Sequence, residues 1–416
     1  MDGVLARLQL EYDTTRADHP VPSPADPVCP GPALSAPASF ATPEAERAWA
    51  RSVLDALPDS CVVSVGGGEV KAVKPANRQS VYALAAVPGF AAADARTRLL
   101  KSEYLFSTYS PDHAVLTGGN LCIRGSVLVD AVREDVAASV HANADVATSC
   151  SGNGVGAGSS EIEGRLTASG TASVNTNLSV SGGVAGGQPK VRLPSLDPRP
   201  VYLAEHAKFP GRWFDLCPDG SVRAPTPAGP CAGATVLGQA PFQGWSFSAG
   251  SGGSAPVWSM TTRSSPYPGV YYVFEADAVV GGHGASHDDD PPWNATVLAE
   301  SAPAGGPLAA CGKRGGNITW KLEHVRNVLP GIVFLAEGDL IGSANSRAEN
   351  GLLAAGDQVV LSTSSASVRG AVIAGDSCRE GTRGNEVQGV RIEYDGSVEA
   401  ALSSVVRSVL WLEYVG

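Results

Sequence analysis

The spacing of apolar residues changes several times along the chain, and the first stretch has helical spacing. Residues 4–12 place valine, leucine and tyrosine on one helical face before a proline-rich stretch. A second helix is predicted to begin at the cap Thr42, to carry Trp49 and Val53 on one face and to end at Pro58. The chain should therefore begin with helical segments.

The pattern then changes to alternating strands. Valine-rich and aromatic runs separated by glycine and polar residues predict an antiparallel meander, and an isolated hairpin would be only marginally stable. One face of the meander should therefore pack on the Trp49 helix. The predicted strands cover residues 61–65, 69–73, 80–87 and 96–106.

Short aliphatic segments dominate residues 114–187. They are broken by Gly, Ser, Asn and Asp, as expected for stacked coils in which aliphatic residues point inward and small polar residues turn the corners. For residues 149–160 a flexible Gly/Ser linker is an equally open reading.

A repeated strand closed by Gly-Asp follows near the C-terminus. The pairs Gly338-Asp339, Gly356-Asp357 and Gly375-Asp376 recur at a period close to one coil of a parallel β-helix. Each coil should lay its aliphatic residues on the coil before it.

Five tryptophans distinguish residues 200–320, which are also rich in Gly and Pro. We predict a loop-rich insertion in which these rings form a small core of their own, with a contact surface for glycan or protein as the alternative. They are Trp213, Trp245, Trp258, Trp293 and Trp320.

Together these patterns predict a mainly β fold. It is a right-handed parallel β-helix, or solenoid, with an N-terminal helix, an antiparallel β-meander and a loop-rich insertion. The predicted domains are an N-terminal helical segment and meander, a first β-helix block, the tryptophan-rich insertion and a C-terminal β-helix block. They cover residues 1–110, 111–200, 201–320 and 321–416.

Composition narrows the choice of partners. The formal net charge is −11, so nucleic acid is an unfavourable partner. Hydrophobic residues make up 43% of the chain, yet there is no apolar run long enough to span a bilayer and no signal-peptide pattern. Any membrane contact would require an N-terminal anchor that this sequence lacks.

Eight scattered cysteines favour an oxidising compartment. They show neither a CxxC pair nor zinc-finger spacing, although eight reduced thiols in a cytosolic protein remain the alternative. We predict sequential bridges: Cys29 to Cys61, Cys122 to Cys150, Cys217 to Cys231, and Cys311 to Cys378.

Catalytic motifs give little support to an enzyme. We find no convincing nucleophile elbow, phosphate loop or HExxH pattern, and we expect neither an enzyme nor a bound cofactor. The acidic run Asp288, Asp289 and Asp290 is a weak candidate for Ca²⁺, with a solvated acidic loop as the more ordinary reading.

Several segments resemble PilX-like minor type IV pilins. Residues 96–106 and 114–125 look like that group's meander strand and first β-helix coil, and residues 193–198 look like its Pro-x-(Ile/Leu)-Asp-Pro exit. Residues 390–395 resemble its last strand, and residues 4–12 would correspond to the end of the long pilin helix. The resemblance covers about half the chain, without the apolar anchor helix and with cysteines that the group does not typically have.

The resemblance implies an exported structural or adhesive protein associated with type IV pili, located in the cell envelope or outside the cell. Its partners would be other pilus subunits or surface proteins, with glycans as a further candidate through the insertion. Two alternatives stay open: a secreted β-helix polysaccharide lyase or hydrolase, and a phage or cell-surface β-helix adhesin.

Overall fold

The computed structural model is mainly β and divides into two compact units. Unit 1 comprises residues 1–107 and 403–416, and unit 2 comprises residues 108–402. Among the described residues, no helix combines the length and apolar character needed to cross a bilayer. The structure describes residues 37, 40–65, 67–73, 80–106, 109–148, 160–250, 254–260, 267–281, 292–302, 314–321, 324–343, 346–376, 384–402 and 406–414.

Unit 1 consists of a helix and an antiparallel sheet. Helix α1 (Pro43–Ala56) begins as predicted, because the Thr42 hydroxyl accepts a hydrogen bond from the Ala45 amide and proline occupies the first turn. The predicted helix at residues 4–12 lies outside the described residues. In sheet order, the strands are β1 (Val63–Val65), β2 (Gly68–Val73), β3 (Ser80–Val87), β4 (Arg96–Phe106) and β30 (Val406–Tyr414).

The predicted packing of the helix on the meander is present. Trp49 and Val53 pack against a buried cluster that includes Tyr82, and the Trp49 and Tyr82 rings meet edge to face at 5.4 Å. A buried ion pair joins the two layers, with Lys101 Nζ 2.9 Å from Glu46 Oε1. Apolar burial and this pair fix the helix on the sheet.

Unit 2 is built from short strands that stack in parallel on three sides of a repeating coil. Along the stack, side one contains β15 (Trp213–Leu216), β20 (Gly269–Phe274), β22 (Trp293–Ala302), β25 (His324–Ala336), β27 (Arg347–Ala355), β28 (Val359–Ala374), β5 (Val115–Thr117), β8 (Val140–Ala142), β11 (Leu166–Ala168) and β14 (Val184–Ala185).

Side two contains β19 (Val257–Met260), β21 (Asp277–Val280), β24 (Ile318–Lys321), β26 (Leu340–Ser343), the first part of β28, the first part of β29 (Asn385–Tyr394), β6 (Leu121–Arg124), β9 (Val146–Ala147) and β12 (Ala172–Ser173). Side three contains the first residues of β22, β25 and β27, then residues 366–369, the last part of β29, β7 (Leu128–Ala131), β10 (Ser160–Ile162) and β13 (Leu178–Val180).

The order of coils in this stack differs from their order in the chain. The last coil of the C-terminal block pairs with the first coil of the N-terminal block on all three sides: Val372 is opposite Val115, Glu386 opposite Cys122, and Arg391 opposite Leu128. The stack therefore starts at residue 213, runs to residue 394 and continues from residue 115 to residue 185.

Residues 201–320, predicted as a loop-rich insertion, supply the first coils of this stack. Strands β20 and β22 pair in parallel, and β22 continues onto β25. The first coil is flanked by antiparallel strands: β16 (Ser221–Arg223) pairs with β15, β17 (Val236–Gln239) with β16, and β18 (Trp245–Ser248) with β19. A short strand, β23 (Arg314–Gly315), pairs with β22.

A crossover, residues 186–212, carries the chain from the end of the stack back to its start. It includes helix α2 (Pro198–Glu205), capped by the Asp197 side chain, and it contacts the outer face of side one. There the Asn143 amide bonds the backbone of Val191 in both directions, at 2.7 and 2.8 Å. The side-one parts of β20, β25 and β27 are nearly continuous apolar runs, because both of their faces are buried.

Glycines permit the close approach of coils at the corner after side one. A Cβ atom on Gly375 would lie 2.2 Å from the carbonyl oxygen of Gly356, and one on Gly118 would lie 1.9 Å from that of Gly375. The predicted Gly-Asp corners at residues 356 and 375 are in register, whereas Gly338 is offset by one residue, since Ala336 pairs with Ala355.

Candidate functional site

Side three carries a repeated triplet in which a buried aliphatic residue stands between two outward-facing residues, most of them polar. The parallel register aligns the triplets, so the outer residues form two rows across neighbouring strands. We call these rows the charged ladder. Its triplets begin at His324, Arg347, Ser367, Arg391, Leu128 and Glu161.

Ion pairs occupy the upper part of the charged ladder. Glu349 accepts hydrogen bonds from Arg326 at 2.6 and 2.8 Å and lies 2.8 Å from His324 Nε2. Partial burial raises the pKa of Glu349, but the hydrogen bonds from Arg326 and His324 outweigh it and leave the pKa below its ordinary value. Glu349 is therefore ionised at neutral pH.

The lower part of the charged ladder is centred on Arg391. Its guanidinium lies 3.0 Å from Asp130 and 3.1 Å from Glu393. Arg369 lies between Glu349 and Glu393 in the register and is exposed. Its guanidinium is available to a ligand, with carboxylates on both neighbouring strands.

A groove of about 750 Å³ runs along the charged ladder and crosses several coils. Its floor includes Ala348, Ala366 and Val390, and no aromatic ring lines it. Guanidinium and carboxylate groups side by side suit a chain that offers both hydrogen-bond donors and acceptors. The charged groups that line the groove are Glu161, Arg347, Glu349, Arg369, Arg391 and Glu393.

The structure contains one complete disulfide among the described cysteines, between Cys217 and Cys231, with a Cα–Cα distance of 5.8 Å. This is one of the four predicted pairs. Cys61 and Cys122 are also disulfide-bonded. Cys29, Cys150, Cys311 and Cys378 lie outside the described residues, so the other three pairings stay predictions.

A buried acid ties the disulfide to the crossover. Asp215 accepts hydrogen bonds from the Tyr202 hydroxyl at 2.9 Å and from the Cys231 amide at 3.0 Å. Burial raises the pKa of Asp215 to about 6, and these two hydrogen bonds oppose that shift. Asp215 thus joins strand β15, helix α2 and the disulfide loop through one side chain.

The candidate Ca²⁺ ligands Asp288, Asp289 and Asp290 lie outside the described residues. In the part of the chain that the structure describes, no three His, Cys, Asp or Glu side chains are grouped to hold a metal ion. At the Gly-Asp corners, Asp339 caps the next coil by accepting a hydrogen bond from the backbone amide of Gln358 at 3.2 Å. Turn capping is therefore the observed role of this carboxylate.

The five tryptophans of residues 200–320 are all buried. Trp258 donates to the Cys217 carbonyl at 3.0 Å, and the Trp320 ring packs edge to face on Phe334 at 5.6 Å. The alternative that these rings form an exposed contact surface for glycan is therefore wrong. Four of them fill the interior of the first coils, whereas the Trp213 ring packs against Tyr202 and Phe209 of the crossover.

Sequence reasoning missed the charged ladder, although a signal for it was present. The triplets 347–349, 367–369 and 391–393 recur once per coil, each with a small or aliphatic residue between two polar ones. A search for the Gly-Asp period alone did not reveal them, because they lie on a different side of the coil.

Comparisons with known proteins give little further guidance. No family model matches the chain, and no curated protein matches it. Among solved structures, the chain is similar to the competence-associated pilin ComZ from Thermus thermophilus, with 12% sequence identity and a TM-score of 0.31 over 85% of this chain and 86% of that chain. A likeness this low supports no argument about function.

Proposed function

We propose that this protein is a structural or adhesive component of the cell envelope associated with type IV pili, similar to PilX-like minor pilins. The observation that carries the proposal is the meeting of two segments distant in sequence. Residues 114–125 and 390–395, which both resemble that family, belong to coils that pair side by side.

The arrangement of unit 1 supports the same function. A helix laid across an antiparallel meander is what the resemblance implies for the part that follows a pilin's long N-terminal helix. Here α1 packs on β2, β3 and β4, and the buried pair of Glu46 and Lys101 joins the two layers. Other pilus subunits or surface proteins would be the partners.

For unit 2 we propose a right-handed parallel β-helix. The three-sided parallel register and the stacked corner glycines support it, since both are features of coils that follow one another along an axis. Such a stack is a rigid scaffold, and the charged ladder would present its groups to a surface partner.

Disulfides support a location outside the cytoplasm. Cys217 and Cys231 are bonded, and Cys61 and Cys122 are bonded as well, which is the state expected in an oxidising compartment. We propose that the remaining predicted pairs, Cys29 with Cys61, Cys122 with Cys150, and Cys311 with Cys378, complete the set.

Shearing of surface filaments tests the proposal. A tagged full-length chain in its native host should be found with the sheared pili, and it should be absent from the sheared fraction of cells that cannot assemble pili. Replacement of Arg369 by Glu should leave the protein in that fraction and reduce attachment of the cells to their surface. Equal amounts of protein in sheared fractions from piliated and pilus-free cells would contradict the proposal.

One observation favours a second candidate, a secreted polysaccharide lyase or hydrolase. Glu393 lies next to Arg369 and Arg391, and Glu161 lines the same groove, so carboxylates and basic groups occur together there. Cleavage of an acidic polysaccharide by the purified protein, abolished by Arg369→Ala, would support this candidate. The absence of cleavage across a panel of acidic polysaccharides would count against it.

A further inference from the structure

The last coil of the stack has open strand edges. We call residues 171–187 the terminal coil; it contains β12, β13 and β14. In the described structure, each of these strands pairs on one edge only, with β9, β10 and β11 respectively. The other edge leaves backbone N–H and C=O groups free to pair with another chain.

The terminal coil lacks the charged side chains that usually protect an open edge. Edge strands are normally guarded by charged side chains, lysine above all. Between Arg165 and Lys190 the sequence contains no Asp, Glu, Lys, Arg or His, in a chain whose charged residues make up 17% of the total. The inward-facing Val184, in register with the buried Leu166, is 40% exposed because no further coil covers it.

The opposite end of the stack is closed on two sides. Strand β15 pairs with β16 on its outer edge, and β19 pairs with β18, both in the antiparallel sense. The bond between Cys217 and Cys231 ties the turn after β15 to the loop between β16 and β17. A second copy therefore cannot add its terminal coil there, so head-to-tail growth is blocked.

We propose that the terminal coil is a self-association surface on which a second copy of this chain docks end to end. A twofold axis perpendicular to the stack reverses the direction in which the coil winds. Every strand of one terminal coil then meets a strand of the other in the antiparallel sense, and all three sides can form hydrogen-bonded ladders. Such an isologous contact closes on itself as a dimer.

Charge favours a second copy as the occupant. Two chains that each carry a net charge of −11 repel one another over most of their surfaces, but the terminal coil brings no charge to the contact. Because its strands contain two or three residues each, the interface is small. We expect a dissociation constant on the order of tens of micromolar.

Sedimentation equilibrium over a concentration series tests the proposal. The wild-type chain should pass from monomer to dimer, whereas Val184→Lys and Ser173→Lys should each raise the dissociation constant at least about tenfold, since each brings two like charges into the same small contact. Val132→Lys is the matched control, because Val132 is equally exposed at 43% but lies in another coil. Its dissociation constant should equal that of the wild type.

Mixing of charge variants separates lost association from misfolding. A Val184→Lys chain mixed with a Val184→Glu chain should form a heterodimer, because opposite charges then meet at the contact. A wild-type chain that stays monomeric up to about 1 mM overturns the proposal. This holds even if the terminal coil binds a strand of another pilus subunit. A dimer that survives both lysine substitutions also overturns it, as does a mixture that fails to associate.

Discussion

Replacement of Gly118 by alanine tests the junction at which the two blocks of coils meet. The backbone conformation of Gly118 is compatible with alanine, so the effect should come from space alone. A Cβ atom would lie 1.9 Å from the carbonyl oxygen of Gly375 and 2.9 Å from Leu193 Cδ1. The neighbouring coil must therefore move away, and the hydrogen bond from the Gly118 amide to the Ala374 carbonyl, 2.8 Å long, must lengthen.

The magnitude follows from these two changes. Forced overpacking costs about 1–3 kcal/mol, and a weakened backbone hydrogen bond adds about 1 kcal/mol. The lower entropy of the unfolded alanine chain returns roughly 0.4–1 kcal/mol. We expect unit 2 to lose about 2–3 kcal/mol of unfolding free energy, which corresponds to a fall in Tm of roughly 4–12 °C.

Differential scanning calorimetry and amide hydrogen exchange of residues 115–124 measure this effect. Gly384→Ala is a matched control at the same junction, because its Cβ atom would lie 3.3 Å from Asn120 Cβ and meet no carbonyl oxygen closer than 3.4 Å. Equal Tm values for Gly118→Ala and Gly384→Ala, or unchanged exchange at the junction, would refute the stacking of residue 118 on residue 375.

Three other predictions concern pH, the disulfide and unit 1. Burial, then His141, lowers the pKa of His113, and burial lowers that of His141. The unfolded chain therefore binds protons at these histidines more readily than the folded chain. The free energy of unfolding should be highest above pH about 6.5 and should fall as the pH drops below it; an unchanged pH dependence of unfolding in His113→Phe would contradict this. Replacement of Cys217 and Cys231 by serine should lower the free energy of unfolding, measured by chemical denaturation, by about 3 kcal/mol, given their separation of 14 residues. A loss below about 1 kcal/mol would argue against stabilisation by restriction of the unfolded chain. Glu46→Ala should cost roughly 3–5 kcal/mol and speed hydrogen exchange in β4, because a lysine loses its buried partner; exchange at the wild-type rate would exclude that role.

Local patterns predicted the elements of unit 1 closely. A capping threonine followed by proline defined the start of α1, and strands β3 and β4 have their predicted bounds. These features depend on neighbouring residues only, so the sequence contains them directly. The period of the Gly-Asp corners likewise predicted coils, and the parallel register of β27 and β28 agrees with it.

The order of the coils could not be predicted in the same way. An aliphatic repeat indicates that a coil needs neighbours but not which coils they are, so the pairing of residues 115–131 with residues 372–394 has no local signal. The tryptophans were misleading for a related reason. Large rings at residues 213, 245 and 293 suggested a separate insertion, whereas Trp245 and Trp293 fill the interior of the first coils and Trp213 packs under the crossover. The terminal coil lies at the end of the stack although it is in the middle of the sequence. Its position can therefore be recognised only when the order of the coils is known.

The joining of late residues to early ones has a consequence for synthesis. Arg124 pairs with Glu386 across 262 residues, and β30 completes the edge of the sheet next to β4. As the chain leaves the ribosome, neither unit can reach its final pairing until almost all of it has emerged, and contacts of such high sequence separation form slowly. A nascent chain that stays incompletely folded for so long could still pass through a translocation channel.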